Sequence, residues 1–255
     1  MQTIWIGNIH FKEINIPVKL HASVKENHIQ FHLLHKTDRV RLRQQMLCAY
    51  EKTAVPSDEE VKGFQVDKRK FILMSPEELE QTEPGKSRDI DVHEFVNSDE
   101  IDPIFLERTY YLEPETSAKN YGALASALKE MNAAGVCTWA MKKRDYLGAL
   151  RSNGEKLSLT TLRYADEIVQ AKSLGIESYP LSDKELQIAG ELIKKLTVHF
   201  EPEKYINDHQ KKLQAMIEKK ARGEKVIVLK PRRLKSTEST KLLEMLEESL
   251  KRAKQ

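Results

Sequence analysis

Cysteine is too scarce in this chain to organise it. Only Cys48 and Cys137 are present, far apart in the sequence. Neither has a Cys or His neighbour at metal-ligand spacing, so a structural zinc site is not supported and two free thiols, buried or half-buried, are expected. Long apolar runs are also missing: no stretch approaches the roughly 20 residues of a helical membrane span. The opening Met1-Gln2-Thr3-Ile4-Trp5 has no basic start or small-residue cleavage site, so a cytoplasmic protein with no membrane partner is expected. Catalytic signatures are lacking too, with no glycine-rich phosphate loop, no Gly-x-Ser-x-Gly and no His-Glu-x-x-His. His32 and His35 would face opposite sides of a strand and could not hold one ion together. Asp99, Glu100 and Asp102 could be drawn as a nuclease metal cluster, but a solvated loop before Pro103 accounts for them better. A non-enzyme without cofactors is the expectation.

What is there is charge, unevenly placed. Charged residues make up 32% of the chain and apolar ones 40%, enough for a core under a highly charged surface. Residues 1–210 hold 28 Lys/Arg and 33 Asp/Glu, whereas residues 211–255 hold 14 and 6. A basic tail on a mildly acidic body suits a polyanion partner such as nucleic acid, the alternative being a solvated helical tail.

Periodicity divides the 255 residues into a β-rich body to about residue 180 and a helical remainder. The runs Ile4–Phe11 and Ile14–Leu20 read as strands, Pro17 placing the second at an edge or a bulge. Ile29–Leu34 is another candidate strand, and Arg39-Val40-Arg41-Leu42-Arg43 alternates strictly. Further strands are expected at 136–141, 146–150 and 157–159, with Asn153-Gly154 as a hairpin turn. Many short strands of this kind suit a barrel or a sandwich. Capping-box spacing marks helix starts at Ser57 and Ser182, Ser75-Pro76 marks a third, and a helix is expected over 118–131. Leu186, Ala189, Leu192, Ile193 and Leu196 form one helical stripe. A helix at 203–222 carries a second stripe, Tyr205, Ile206, His209, Leu213, Met216 and Ile217, and Gly223 ends it. A basic linker at 224–236 and an amphipathic helix at about 238–252 complete the chain.

Several segments resemble one family, in order along residues 2–225. These are Trp5-Ile6-Gly7-Asn8-Ile9, Asn15–Leu20, Phe31-His32-Leu33-Leu34-His35-Lys36, Val61-Lys62-Gly63-Phe64, Phe71–Leu79, Ile90–Phe95, Asp99–Pro103, Tyr110-Tyr111-Leu112 and Thr161-Leu162-Arg163-Tyr164-Ala165-Asp166-Glu167. The set is similar to the bacterial Ku family. The resemblance implies a β-barrel core with bridging strands, residues 1–180, that closes as a homodimeric ring around duplex DNA. It implies sequence-independent binding of double-stranded DNA ends, recruitment of a multifunctional ATP-dependent DNA ligase in non-homologous end joining, and no catalytic site. The 181–225 region would then recruit the partner, and 226–255 would be a basic linker and terminal helix. Many relatives carry a second Cys shortly after the position of Cys48, where this chain has Ala49-Tyr50-Glu51. The alternative reading is a protein-interaction scaffold whose basic tail coats DNA non-specifically.

A ring that accepts any sequence must touch phosphate and sugar. Arg39, Arg41 and Arg43, on one face of a strand, would stand roughly 6.6–7 Å apart. The bland alternative is an edge strand kept soluble by charge. Lys36, Lys62, Lys68, Arg69 and Lys70 flank them in the segment that the resemblance assigns to the bridge. Lys142 and Arg144 are preferred over Lys143, because alternate residues of a strand share a face. In the tail, Lys219, Lys220, Arg222, Lys230, Arg232, Arg233 and Lys235 are candidate DNA contacts. Tyr205, Leu213, Met216 and Ile217 are candidate ligase contacts, although an amphipathic stripe more commonly packs on its own domain.

Overall fold

The computed structural model describes residues 2–25, 27–85, 87–116, 118–169, 171, 175 and 182–223. They fall in two compact units. The described residues within 1–27 and 32–171 form one, and those within 28–31 and from 172 onward form the other.

The first unit is a closed barrel of seven strands, in the order β1 (Thr3–Phe11), β2 (Ile14–Ala22), β6 (Leu106–Pro114), β9 (Lys156–Leu162), β8 (Arg144–Asn153), β7 (Ala133–Met141) and β5 (Asp89–Asn97). Strands β3 (Lys62–Asp67) and β4 (Lys70–Met74) form a separate hairpin. β1 and β5 close the barrel in parallel, from Asn8↔Asp89 to His10↔Asp91; the other described pairings are antiparallel. Alternation builds the interior: Ile9, Ile16, Val18, Leu20, Ile90, Leu150, Leu157 and Leu159 are fully buried. Each such side chain contributes about 1.5–3 kcal/mol on leaving water. Gly148 has no room for a side chain, because a Cβ there would run into the Trp139 ring, which lies across it and stacks on Tyr146.

Helix α2 (Ala118–Glu130) lies on this barrel through Tyr121, Ala125 and Leu128. The Tyr121 hydroxyl donates to the Leu112 carbonyl (2.6 Å) and accepts from the Leu157 amide (2.7 Å). It thereby ties α2 to the end of the β6–β9 ladder, where Leu112 faces Leu157.

Three sequence expectations need correction. Pro17 does not mark an edge, for β2 has β1 on one side and β6 on the other. It is tolerated because the β6 ladder starts only at Val18, and its carbonyl still accepts from the Glu115 amide at 3.0 Å. Ile29–Leu34 is not a strand, and only Leu34 makes a β-bridge. Ser57 caps no helix: residues 57–59 make a turn and a bend. Ser75 and Ser182 do close capping boxes, on α1 (Pro76–Gln81) and α3 (Asp183–Leu196). The Asn153–Lys156 hairpin is present, with Gly154 at φ 74°. Among the described residues no helix is long and apolar enough to cross a membrane.

Candidate nucleic-acid interface

After β2 the chain leaves the barrel and does not rejoin it until β5. Between them, residues 32–75 form an arm of three successive hairpins. In the first, Leu34 bridges Arg41, the His35 amide donates to the Val40 carbonyl (2.8 Å) and the Leu42 amide to the Leu33 carbonyl (2.9 Å). Asp38 holds its turn by accepting from the Val40 amide (3.0 Å) and pairing with His35 Nδ1 (2.8 Å). These two bonds keep the Asp38 carboxyl below its ordinary pKa, the Val40 amide contributing most. In the second hairpin Leu47 bridges Ala54, and in the third β3 and β4 are joined across Lys68-Arg69.

None of residues 32–75 is buried. Thirteen large apolar side chains are exposed there, among them Leu33, Val40, Leu42, Phe64, Phe71 and Leu73. The arm carries nine Lys/Arg against six Asp/Glu, reversing the sign of the remaining body. Lys36 and Arg39 lie in the first turn, Lys68 and Arg69 form the third turn, Lys62 opens β3 and Lys70 opens β4, all exposed.

The three-arginine face is not formed. Arg39 has φ 60° and closes the turn by donating its amide to the His35 carbonyl (2.9 Å), so it is not in line with Arg41 and Arg43 on the returning segment. The expected strand is also reduced to the single bridge at Arg41. Asp38 is the physical reason, because its side chain stabilises a turn where alternation alone suggests an extended run.

The β7–β8 turn stands at the barrel end where the arm is rooted. β7 runs antiparallel to β5, so Met141 lies towards the start of β5, the strand by which the arm returns. Met141 pairs with Arg144, leaving Lys142 and Lys143 as the two turn residues, at φ 52° and 65°. The alternation used to prefer Lys142 and Arg144 therefore does not apply, because neither lysine is in a strand. Left-handed backbone costs a side-chain-bearing residue roughly 1–2 kcal/mol. Lys143 Nζ donates to Glu83 Oε1 at 2.7 Å, which raises the pKa of the ammonium. Arg144 lines a cleft of about 540 Å³ with Arg108 and with the carboxylates of Glu107, Asp145 and Glu167.

Asp99 accepts from Asn132 Nδ2 (2.9 Å), 33 residues along the chain, and Asp102 accepts from the Ile104 amide (2.9 Å) in a local turn, so both carboxylates make structural hydrogen bonds. Among the described residues no group of three or more His, Cys, Asp or Glu is placed to hold a metal ion.

Residues 10–188 match the family described as the Ku70/Ku80 beta-barrel domain. The chain is 57% identical over 250 residues to the non-homologous end joining protein Ku 2 of Geotalea uraniireducens (strain Rf4), covering 98% of each. It is 36% identical over 228 residues to the Ku protein of Anaeromyxobacter sp. (strain K), covering 88% of this chain and 77% of that one. Ku 1 of the same Geotalea strain is 33% identical over 239 residues, covering 91% and 88%. This chain belongs to the Ku family.

The second unit of this Ku chain holds α3 and α4 (Asp208–Ala221). The helix expected at 203–222 starts later, because Asn207 caps it by accepting from the Gln210 amide at 3.0 Å. Tyr205 and Ile206 thus precede the helix instead of lying on its stripe. Tyr205 is exposed and stacks on Phe200, centroids 5.7 Å apart, an aromatic pair that periodicity missed because it lies outside any helix. Leu213, Met216 and Ile217 are half-buried on α4. Lys219 and Lys220 occupy its last turn, Arg222 is its C-cap, and Gly223 follows at φ 79°. Lys230, Arg232, Arg233 and Lys235, with the expected linker and terminal helix, lie outside the described residues.

Proposed function

We propose that this chain binds the ends of double-stranded DNA without regard to sequence, as a homodimeric ring, and so serves non-homologous end joining by bridging ends and recruiting an ATP-dependent DNA ligase. The names of its relatives support the process. The observation that carries the reading is the arm, unburied along its length, with apolar side chains exposed and basic residues at its turns. Apolar surface of this extent marks an interaction face. A second copy covers it in a self-complementary contact, as two-fold dimers require. The cations remain to meet phosphate, an attraction indifferent to base identity. The chain performs no reaction in this reading; it holds duplex ends, and the ligase supplies the chemistry. Tyr205, exposed beside Phe200, with Leu213, Met216 and Ile217 of α4, offers the ligase an aromatic and aliphatic anchor.

Competition between a linear duplex and a covalently closed circle of the same sequence tests the proposal. Linear DNA should win by a wide margin, and the affinity should fall steeply with salt. A chain ending at residue 210 should keep the end preference and lose stimulation of the ligase. Equal binding to circles, or end binding lost with the tail, would contradict the ring.

A further inference from the structure

At the β7–β8 turn, side-chain type and backbone geometry disagree. Two-residue hairpin turns with positive φ at both positions favour Asn-Gly or Gly-Gly, and residues with large side chains rarely adopt such φ. The β8–β9 turn, Gly154-Glu155, puts a glycine at its one left-handed position, Gly154 at φ 74°. The β7–β8 turn instead puts Lys142 and Lys143 side by side in the left-handed region, and no other adjacent pair among the described residues does so. Nothing in the turn itself rewards two lysines there.

Their surroundings do. The turn stands where the basic arm is rooted, and one of its ammonium groups already holds an oxyanion. Glu83 Oε1 lies 2.7 Å from Lys143 Nζ, on the segment that returns the arm to β5. Glu80, Glu83, Trp5, Lys142 and Lys143 line one open concavity of about 610 Å³, in which Glu83 alone of the two carboxylates is bonded to Lys143. Lys143 is two-thirds accessible while Glu83 is half-buried, so an incoming anion can reach the ammonium from solvent and exchange for the carboxylate at low cost.

We propose that the Lys142–Lys143 turn is a phosphate-contact site on the DNA path, and that Glu83 is an internal competitor which phosphate displaces from Lys143. The proposal rests on the end-binding reading above and adds to it a named rim contact and a built-in brake on affinity. It also opposes charge function to stability, because the turn that folds best is not the turn that binds best.

The test uses the full-length protein, a fluorescent blunt duplex and a salt titration. Lys142→Asn with Lys143→Gly should raise Tm by about 2–4 °C. The same pair should weaken end binding on the order of tenfold and lower the salt slope by about 0.9 for each phosphate that is no longer neutralised. Lys142→Gln with Lys143→Gln should lose the same affinity without the gain in Tm, which separates charge from backbone relief. Glu83→Gln should strengthen binding at low salt. Lys12→Asn removes a left-handed lysine from the β1–β2 turn, at the other end of the barrel, and should leave end binding unchanged. Unaltered affinity and slope in both double variants, with the parent protein binding normally, overturns the proposal. Weaker binding by Glu83→Gln overturns the competitor role. A parent protein that ignores linear duplex overturns the reading beneath it instead.

Discussion

The two thiols differ in reactivity because their surroundings differ. Cys137 is fully buried in β7, and burial pushes its thiol up to about 12. Cys48 is half-exposed in the second hairpin, where the amides of Glu51 and then Tyr50 hold its thiol below the usual cysteine value. Reactivity follows the thiolate and its access. Iodoacetamide at neutral pH should therefore alkylate Cys48 alone in the native protein and both cysteines in denaturant. Labelling of Cys137 at a comparable rate under native conditions would contradict the packing of β7. At this scale the sequence was informative about residue type and less so about orientation. The basic arm residues were identifiable as charges, but their arrangement was not. Arg39 leaves the line of Arg41 and Arg43 because Asp38 bonds the Val40 amide and forms a turn inside an alternating pattern. Strand alternation does not apply to Lys142 and Lys143, which stand in the turn between β7 and β8.

Strands and helices were easier to read than the contacts between them. Apolar periodicity places β1 and β2 close to their observed bounds and finds the centres of β7, β8 and β9, which run two to three residues further at one or both ends, and the capping boxes at Ser75 and Ser182 hold. Ser57 carries the same spacing without a helix, so the capping signal alone was insufficient there. Barrel closure by a parallel β1–β5 seam was not legible, since parallel pairing leaves no hairpin signature. Side chains strengthen that seam: Asn8 Nδ2 donates to Asp89 Oδ1 (3.0 Å), and His10 Nδ1 pairs with Asp91 Oδ1 (2.9 Å). The hydrogen bond to Asp91 is the largest cause of a raised His10 pKa, with Asp89 and the Lys12 backbone adding to it. A histidine whose folded pKa exceeds its unfolded one adds stability that is complete below the unfolded value, about 6.5, and is lost as pH rises through the folded value. Melting of the parent and of His10→Gln across pH 5.5–8.5 should therefore show a gap that is widest at the acid end and narrows as pH rises. A gap that widens towards alkaline pH would mean that this pairing does not support the closure.

For the whole molecule, the decisive feature is an arm that buries nothing of its own. The individual basic residues of 32–75 and the alternation at 39–43 are legible in the sequence, whereas the isolation of this segment from the barrel core shows only in the pairing of β3 and β4 with each other and with no barrel strand. In the proposed ring two such arms close on one another around duplex DNA, so that entry is possible only at a free end. The most direct measurement loads the protein on a linear plasmid, joins the plasmid ends with a ligase, and then raises the salt. A closed ring predicts that protein stays on the circle at salt that strips it from linear DNA, and that one restriction cut releases it. Equal loss from circular and linear DNA under the same salt would contradict encirclement.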